Sequence, residues 1–187
     1  MRFAWRFRSA KFASIAQPQI GVMLDFMEQP AAGLHWLLIL AGLGSGMMAG
    51  LFVAFSTFMM KALGSLELSE GMKAMQAINR FIIRPSFLVT FLGTGLLLIL
   101  ACYFAGNNHP SFWYLIAATS FYVATCLVST MAFNVPLNNQ LEALSADEPE
   151  GLSFWKHYLA RWTLWNHVRS IACLICTLLV GYSLSLA

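Results

Sequence analysis

The sequence predicts an all-α integral membrane protein, a four-helix bundle with amphipathic helices in its two long loops. Three observations carry this. Hydrophobic residues make up 59% of the 187-residue chain and charged residues only 10%, against about 25% in soluble domains. No charged side chain falls between Glu28 and Lys61, between Arg84 and Glu142, or after Arg169. Within those gaps the apolar residues run continuously, without the two-residue alternation of a membrane barrel strand. A helix rising about 1.5 Å per residue needs roughly 20 apolar residues to cross a hydrocarbon layer about 30 Å thick. The first gap holds one span, near 33–60, and the last holds one, near 168–187. The middle gap is long enough for two. Gly106-Asn107-Asn108-His109-Pro110 divides it, because Asn and Gly tolerate left-handed backbone and Pro110 lacks a donor. The two spans lie near 86–105 and 111–134.

The segments between spans are of another composition. Residues 61–85 carry Glu67, Glu70, Lys73, Arg80 and Arg84, with Met72, Met75, Ile78 and Ile82 at helical spacing. Residues 142–150 are acidic, and residues 152–169 are amphipathic and rich in aromatics. Residues 33–187 thus form one four-span domain, preceded by a basic tail at 1–32. In that tail Arg2, Arg6, Arg8 and Lys11 precede the first acid, Asp25. No long apolar run follows them, which argues against a cleaved secretory signal. Two readings of the tail stand side by side: a basic amphipathic segment on a membrane surface, or a start codon placed too early, with Met23 or Met27 as the true start.

Four spans put both long loops on one face of the membrane. That face carries Lys61, Lys73, Arg80, Arg84, Lys156 and Arg161, which the positive-inside bias assigns to the cytoplasm of a bacterial inner membrane. Trp36, Trp113 and Trp165 sit near span ends as interface anchors. Gly42, Gly46, Gly50 and Ala54 recur every four residues, a stripe that lets helix backbones approach. Packing within the chain is the first reading of this stripe, and a homo-oligomer is the lesser alternative.

Polar side chains gather at the long-loop end of the spans: Asn79, Arg80 and Arg84; Asn134, Asn138 and Asn139; Arg161, Asn166, His167 and Arg169. Trp155, Tyr158, Trp162, Trp165 and Arg169 follow one another three or four residues apart, on one helix face. Aromatic area beside a fork-shaped cation and amides suits a flat, partly anionic ligand at the membrane boundary. The bland reading is that Arg and Trp anchor the spans and the amides cap helices. Haem is disfavoured because His35 and His167 begin spans on opposite faces. Copper held by Met59, Met60, Met72, Met75 or Met131 is disfavoured because methionine is ordinarily core filler. No metal and no bound cofactor is expected. Cys102, Cys126, Cys173 and Cys176 all lie in apolar spans and read as packing. A net charge of +3, thinly spread, excludes a nucleic-acid surface. No span carries a carboxylate, which argues against a proton pump or transporter.

Four stretches resemble the anthrone oxygenase-like family of small membrane proteins. They are Ala49-Gly-Leu-Phe-Val-Ala-Phe55 with Lys61-Ala-Leu63, Met75-Gln-Ala-Ile-Asn79-Arg80, Asn134-Val-Pro136-Leu-Asn138-Asn139-Gln-Leu141, and Trp162-Thr-Leu-Trp165-Asn166-His167-Val-Arg169. The resemblance covers about 33–187. It implies a four-helix membrane domain and, as in some fungal members, oxidation of an anthrone to an anthraquinone with dioxygen as co-substrate. Many bacterial members have no assigned activity. The motif positions it suggests are Asn79, Asn134, Asn138, Trp162, Asn166 and Arg169.

Two functions follow as expectations. The first is an oxygenase acting on a flat phenolic, anthrone-like or quinone-like molecule. Arg169, His167 and Asn166 would serve as catalytic residues, His167 as base; Asn79, Asn134, Asn138, Trp162 and Trp165 would bind the substrate. The second is a non-enzymatic protein that binds a lipid, a quinone or a partner helix, with the polar cluster as a structural lock. Membrane lipid and a small aromatic molecule are the expected partners.

Overall fold

The computed structural model describes residues 30–187; the basic tail lies outside them, apart from its last residues. Among the described residues the fold is all-helical. Four helices are long and apolar enough to cross a membrane: α1 (Ala32–Ser65), α3 (Pro85–Ala105), α4 (Phe112–Ala143) and α5 (Pro149–Leu184). A shorter amphipathic helix, α2 (Leu68–Ile82), joins α1 to α3. Pro85 starts α3, where its missing donor costs nothing. Gly106, at φ 62°, ends it in a conformation that other residues resist.

The helices outrun the spans read from charge. At about 1.5 Å per residue, the 36 residues of α5 extend about 54 Å, whereas the 21 of α3 just match the hydrocarbon layer. Residues 152–169 are therefore not a separate loop helix. They continue into the fourth span, because no glycine or proline interrupts the chain between Gly151 and Gly181. The third span likewise runs on past Asn134 to Ala143. Pro136 withholds a donor from the preceding turn, and the helix widens into a π turn over Thr130–Asn134 rather than stopping. Further π turns occupy Phe55–Met59 and Phe121–Leu127.

At the short-turn end the helices finish together, and Ser111 Oγ donates to the Ser183 carbonyl at 2.9 Å. The overhang is thus on the long-loop side, and it makes a second core. The first core, within the spans, contains Leu38, Leu98, Leu115, Tyr122, Cys173 and Val180. The second collects Met72, Met75, Leu141, Trp155, Tyr158 and Trp162 around the apolar face of α2. Gln76 Nε2 donates to the carbonyls of Leu141 (2.8 Å) and Leu144 (3.1 Å), satisfying the frayed end of α4. Exposed ion pairs Lys73–Asp147 and Arg80–Glu142 clip α2 to the α4–α5 turn and to the end of α4, and contribute little.

The glycine stripe packs within the chain. A methyl group on Gly42 would lie 3.5 Å from Val180 of α5, and one on Gly46 3.8 Å from Thr177. Gly44 faces the other way, onto Thr94 of α3. These glycines let α1 lie between two neighbours. Gly50 meets nothing.

Candidate functional site

Where the two cores meet, a partly enclosed cavity of about 100 Å³ remains. Every helix contributes to its wall. α1 supplies Phe52 and Phe55, α2 Asn79 and Ile82, and α3 Phe87; α4 supplies Thr130, Asn134 and Asn138, α5 Trp162 and Arg169. Two of the three π turns border it. The turn at Thr130–Asn134 brings Thr130 and Asn134 to one wall, and the turn at Phe55–Met59 begins at Phe55.

Arg169 dominates the electrostatics. It is 4% exposed, and the ion pairs among the described residues do not include it. Its Nη2 donates to Asn166 Oδ1 at 2.8 Å and its Nη1 to Thr130 Oγ1 at 3.3 Å, while Nε has no partner. The guanidinium carbon lies 4.4 Å from the centre of the Phe52 ring and 5.1 Å from that of Trp162. Ring faces offset part of the cost of burying the cation, but a full charge without a counter-ion stays expensive.

The amides are sorted by their bonds. Asn166 is fully buried; its Nδ2 donates to the Phe52 carbonyl and to Ser56 Oγ, each at 2.7 Å. It does not line the cavity; it fixes α5 to α1 and turns its oxygen toward Arg169. Asn138 lines the cavity, and its Oδ1 accepts from Tyr158 Oη (2.8 Å) and Trp162 Nε1 (2.9 Å). Asn79 donates to Tyr158 Oη at 3.4 Å. Asn134 donates to the Trp162 carbonyl at 3.3 Å, and its Oδ1 is buried without a partner. The walls thus hold one unpaired cationic donor and one unpaired acceptor, 1% to 4% exposed as residues. Buried polar groups of this kind are ordinarily satisfied by a hydrogen-bonding ligand or water.

Of the residues singled out in the sequence, Asn79, Asn134, Asn138, Trp162 and Arg169 meet at this cavity. His167 and Trp165 do not line it. Residues two apart on a helix point about 200° from each other, so His167 faces away from Arg169. It lies exposed on an open groove with Lys61 and Lys156. Trp165 stacks on Phe133, with ring centres 3.6 Å apart. Sequence reasoning passed over Thr130, Phe52 and Phe87. Thr130 stands one helical turn before Asn134, and that spacing was the available signal.

Among the described residues no three His, Cys, Asp or Glu side chains come together as metal ligands do.

Fold and site define a class: a membrane protein of four long apolar helices, with a buried guanidinium and amides at one end. A family model for anthrone oxygenase matches residues 78–179, more than half of the chain, and the chain belongs to that family. The match includes the polar cavity residues of α2, α4 and α5. No curated protein and no solved structure matches the chain.

Proposed function

We propose that the protein oxidises a flat phenolic, anthrone-like substrate with dioxygen, and that Arg169 holds the negative charge that develops on the substrate oxygen. The observation that carries this is the guanidinium itself, buried at a cavity walled by aromatic rings and with no carboxylate partner among the described residues. Loss of a proton from the anthrone methylene gives an enolate whose charge sits on the carbonyl oxygen. A fixed cation in a dry site stabilises that charge far more than water does. Asn134 Oδ1 accepts from a neighbouring phenolic hydroxyl. The enolate carbon then reacts with dioxygen. The methylene loses two hydrogens and gains one oxygen atom, and the second oxygen atom leaves as water. The substrate supplies all the electrons.

Among the described residues no carboxylate or imidazole lines the cavity, so the proton passes to water and catalysis rests on stabilising the anion. Asn166 is a positioning residue that orients Arg169. The cavity also sets a requirement. A void of about 150 Å³ holds benzene, so a three-ring substrate needs more room than the present 100 Å³. Ile82, Ile83 and Phe87, at the α2–α3 junction, line it and must move apart. That junction lies at the hydrocarbon boundary, where an apolar substrate dissolved in the bilayer arrives. We place the long loops in the cytoplasm on their Lys and Arg content.

The test is oxygen uptake by purified protein given an anthrone, corrected for autoxidation. An anthraquinone formed one-to-one with oxygen consumed supports the proposal; a rate equal to the protein-free rate refutes it. A second reading has its own observation. Asn138 accepts from Tyr158 and Trp162, and Asn166 donates to the Phe52 carbonyl, as a lock between α1, α4 and α5 would. On that reading the protein binds a lipid or quinone and turns nothing over.

A further inference from the structure

On the far side of Asn166 from Arg169, α1 and α5 leave an open groove of about 540 Å³ on the outer surface. Ser56, Met60 and Lys61 of α1 face Lys156, Leu164 and His167 of α5 across it. Among the described residues no acidic side chain lines the groove, and neither lysine takes part in an ion pair.

Its height relative to the bilayer follows from the helices. Counting about 20 residues from the flush ends puts the hydrocarbon boundary near Phe55 on α1 and near Trp165 on α5. Lys61 then stands about 9 Å beyond that boundary and Lys156 about 13 Å beyond it, above a headgroup layer about 5–7 Å thick toward which their long side chains reach down. Met60 is nearly level with Lys61, and Leu164 lies lower, about 2 Å beyond the boundary. The groove carries its two lysines at the top with Met60 and Leu159 beside them, and Ser56, Leu164 and His167 at the bottom, and it opens sideways to the lipid.

We propose that this groove binds the phosphate headgroup of an anionic membrane phospholipid, with Lys61 and Lys156 on the phosphate and the acyl chains descending past Leu164. Charge complementarity selects this occupant. A zwitterionic lipid brings its own cation against the two lysines, and a partner helix buries them unpaired. The groove meets the proposed active site through Ser56, whose hydroxyl accepts from Asn166, and through the core that Met60 shares with Phe55 and Trp162. The inference stands whether or not the protein is an oxygenase.

Native mass spectrometry of the detergent-purified full chain tests it, titrated with phosphatidylglycerol or with phosphatidylcholine of the same acyl chains. The Lys61→Gln/Lys156→Gln variant is compared with wild type and with Lys73→Gln, which alters an exposed lysine outside the groove. Wild type and Lys73→Gln retain one phosphatidylglycerol in preference to phosphatidylcholine. The double variant binds it roughly thirtyfold more weakly, the loss of two lysine–headgroup attractions. Both lysines are exposed, and an unchanged lipid-free melting temperature confirms that the variant is folded. Equal phosphatidylglycerol binding by the double variant overturns the site, as does equal retention of the two lipids. Displacement of the lipid by millimolar glycerol phosphate assigns the groove to a soluble phosphate ester instead.

Discussion

Arg169→Met separates a working cation from a scaffold. Methionine keeps the length and the apolar contacts but removes the charge. The lost bond to Asn166 costs about 2 kcal/mol, and the bond to Thr130 about 1 kcal/mol. The contacts with Phe52 and Trp162 add on the order of 2 kcal/mol, part of which a thioether retains. Against this total of about 5 kcal/mol stands the burial of an ion with no anionic partner, itself a cost of several kcal/mol that disappears. No counter-charge is orphaned. The two sides nearly cancel, so the variant melts in detergent within a few degrees of wild type. Its anthrone-dependent oxygen uptake falls about 10² to 10³-fold, the usual cost of losing a group that stabilises an oxyanion. Both are measured on one preparation, by intrinsic fluorescence on heating and by an oxygen electrode. Wild-type uptake by a folded Arg169→Met protein refutes the catalytic assignment. A variant that does not fold refutes the ledger and favours the lock.

Asn134→Leu exchanges an amide with an unpaired oxygen for an apolar group of similar volume; the melting temperature changes little, and uptake at low substrate concentration falls about tenfold, as loss of one hydrogen bond to substrate implies. His167→Gln keeps the wild-type rate of anthrone-dependent oxygen uptake, because the imidazole lies outside the cavity; a loss of about 10²-fold or more would restore His167 as the base. Gly71→Ala places a methyl against the Leu63 carbonyl and the Trp155 indole, so it lowers the melting temperature, at a cost of about 1–3 kcal/mol. Gly50→Ala, with nothing near, is neutral or slightly stabilising by the same measurement. Cysteine at position 73 reacts with an impermeant maleimide only from the cytoplasmic side, and cysteine at position 108 only from the other; the reverse pattern would invert the orientation.

Much of this molecule was legible before any coordinates. The gaps between charges located four crossings, because a charged side chain in hydrocarbon is too costly to place at random. The alternation of crossings put Asn79, Asn134 and Arg169 at one end, which is where they meet. The period of Met72, Met75 and Ile78 identified the buried face of α2. The resemblance in four short stretches pointed to the family that the chain belongs to.

Other features were not legible, for reasons that are physical. Charge marks where a helix leaves the hydrocarbon and says nothing about where the helix ends. The overhang of α1, α4 and α5 was therefore hidden, and with it the second core. His167 and Arg169 look equivalent in a motif, but two residues on a helix are nearly opposite in direction, and only the packing of α5 tells which of them faces inward. Composition and periodicity thus determined the solvent, the number of crossings and the end of the molecule that carries polar groups. Tertiary structure decided which of those groups are paired with one another. Among the described residues it left the Arg169 guanidinium without an anion beside an aromatic cavity, because hydrogen-bond partners come from helices far apart in sequence.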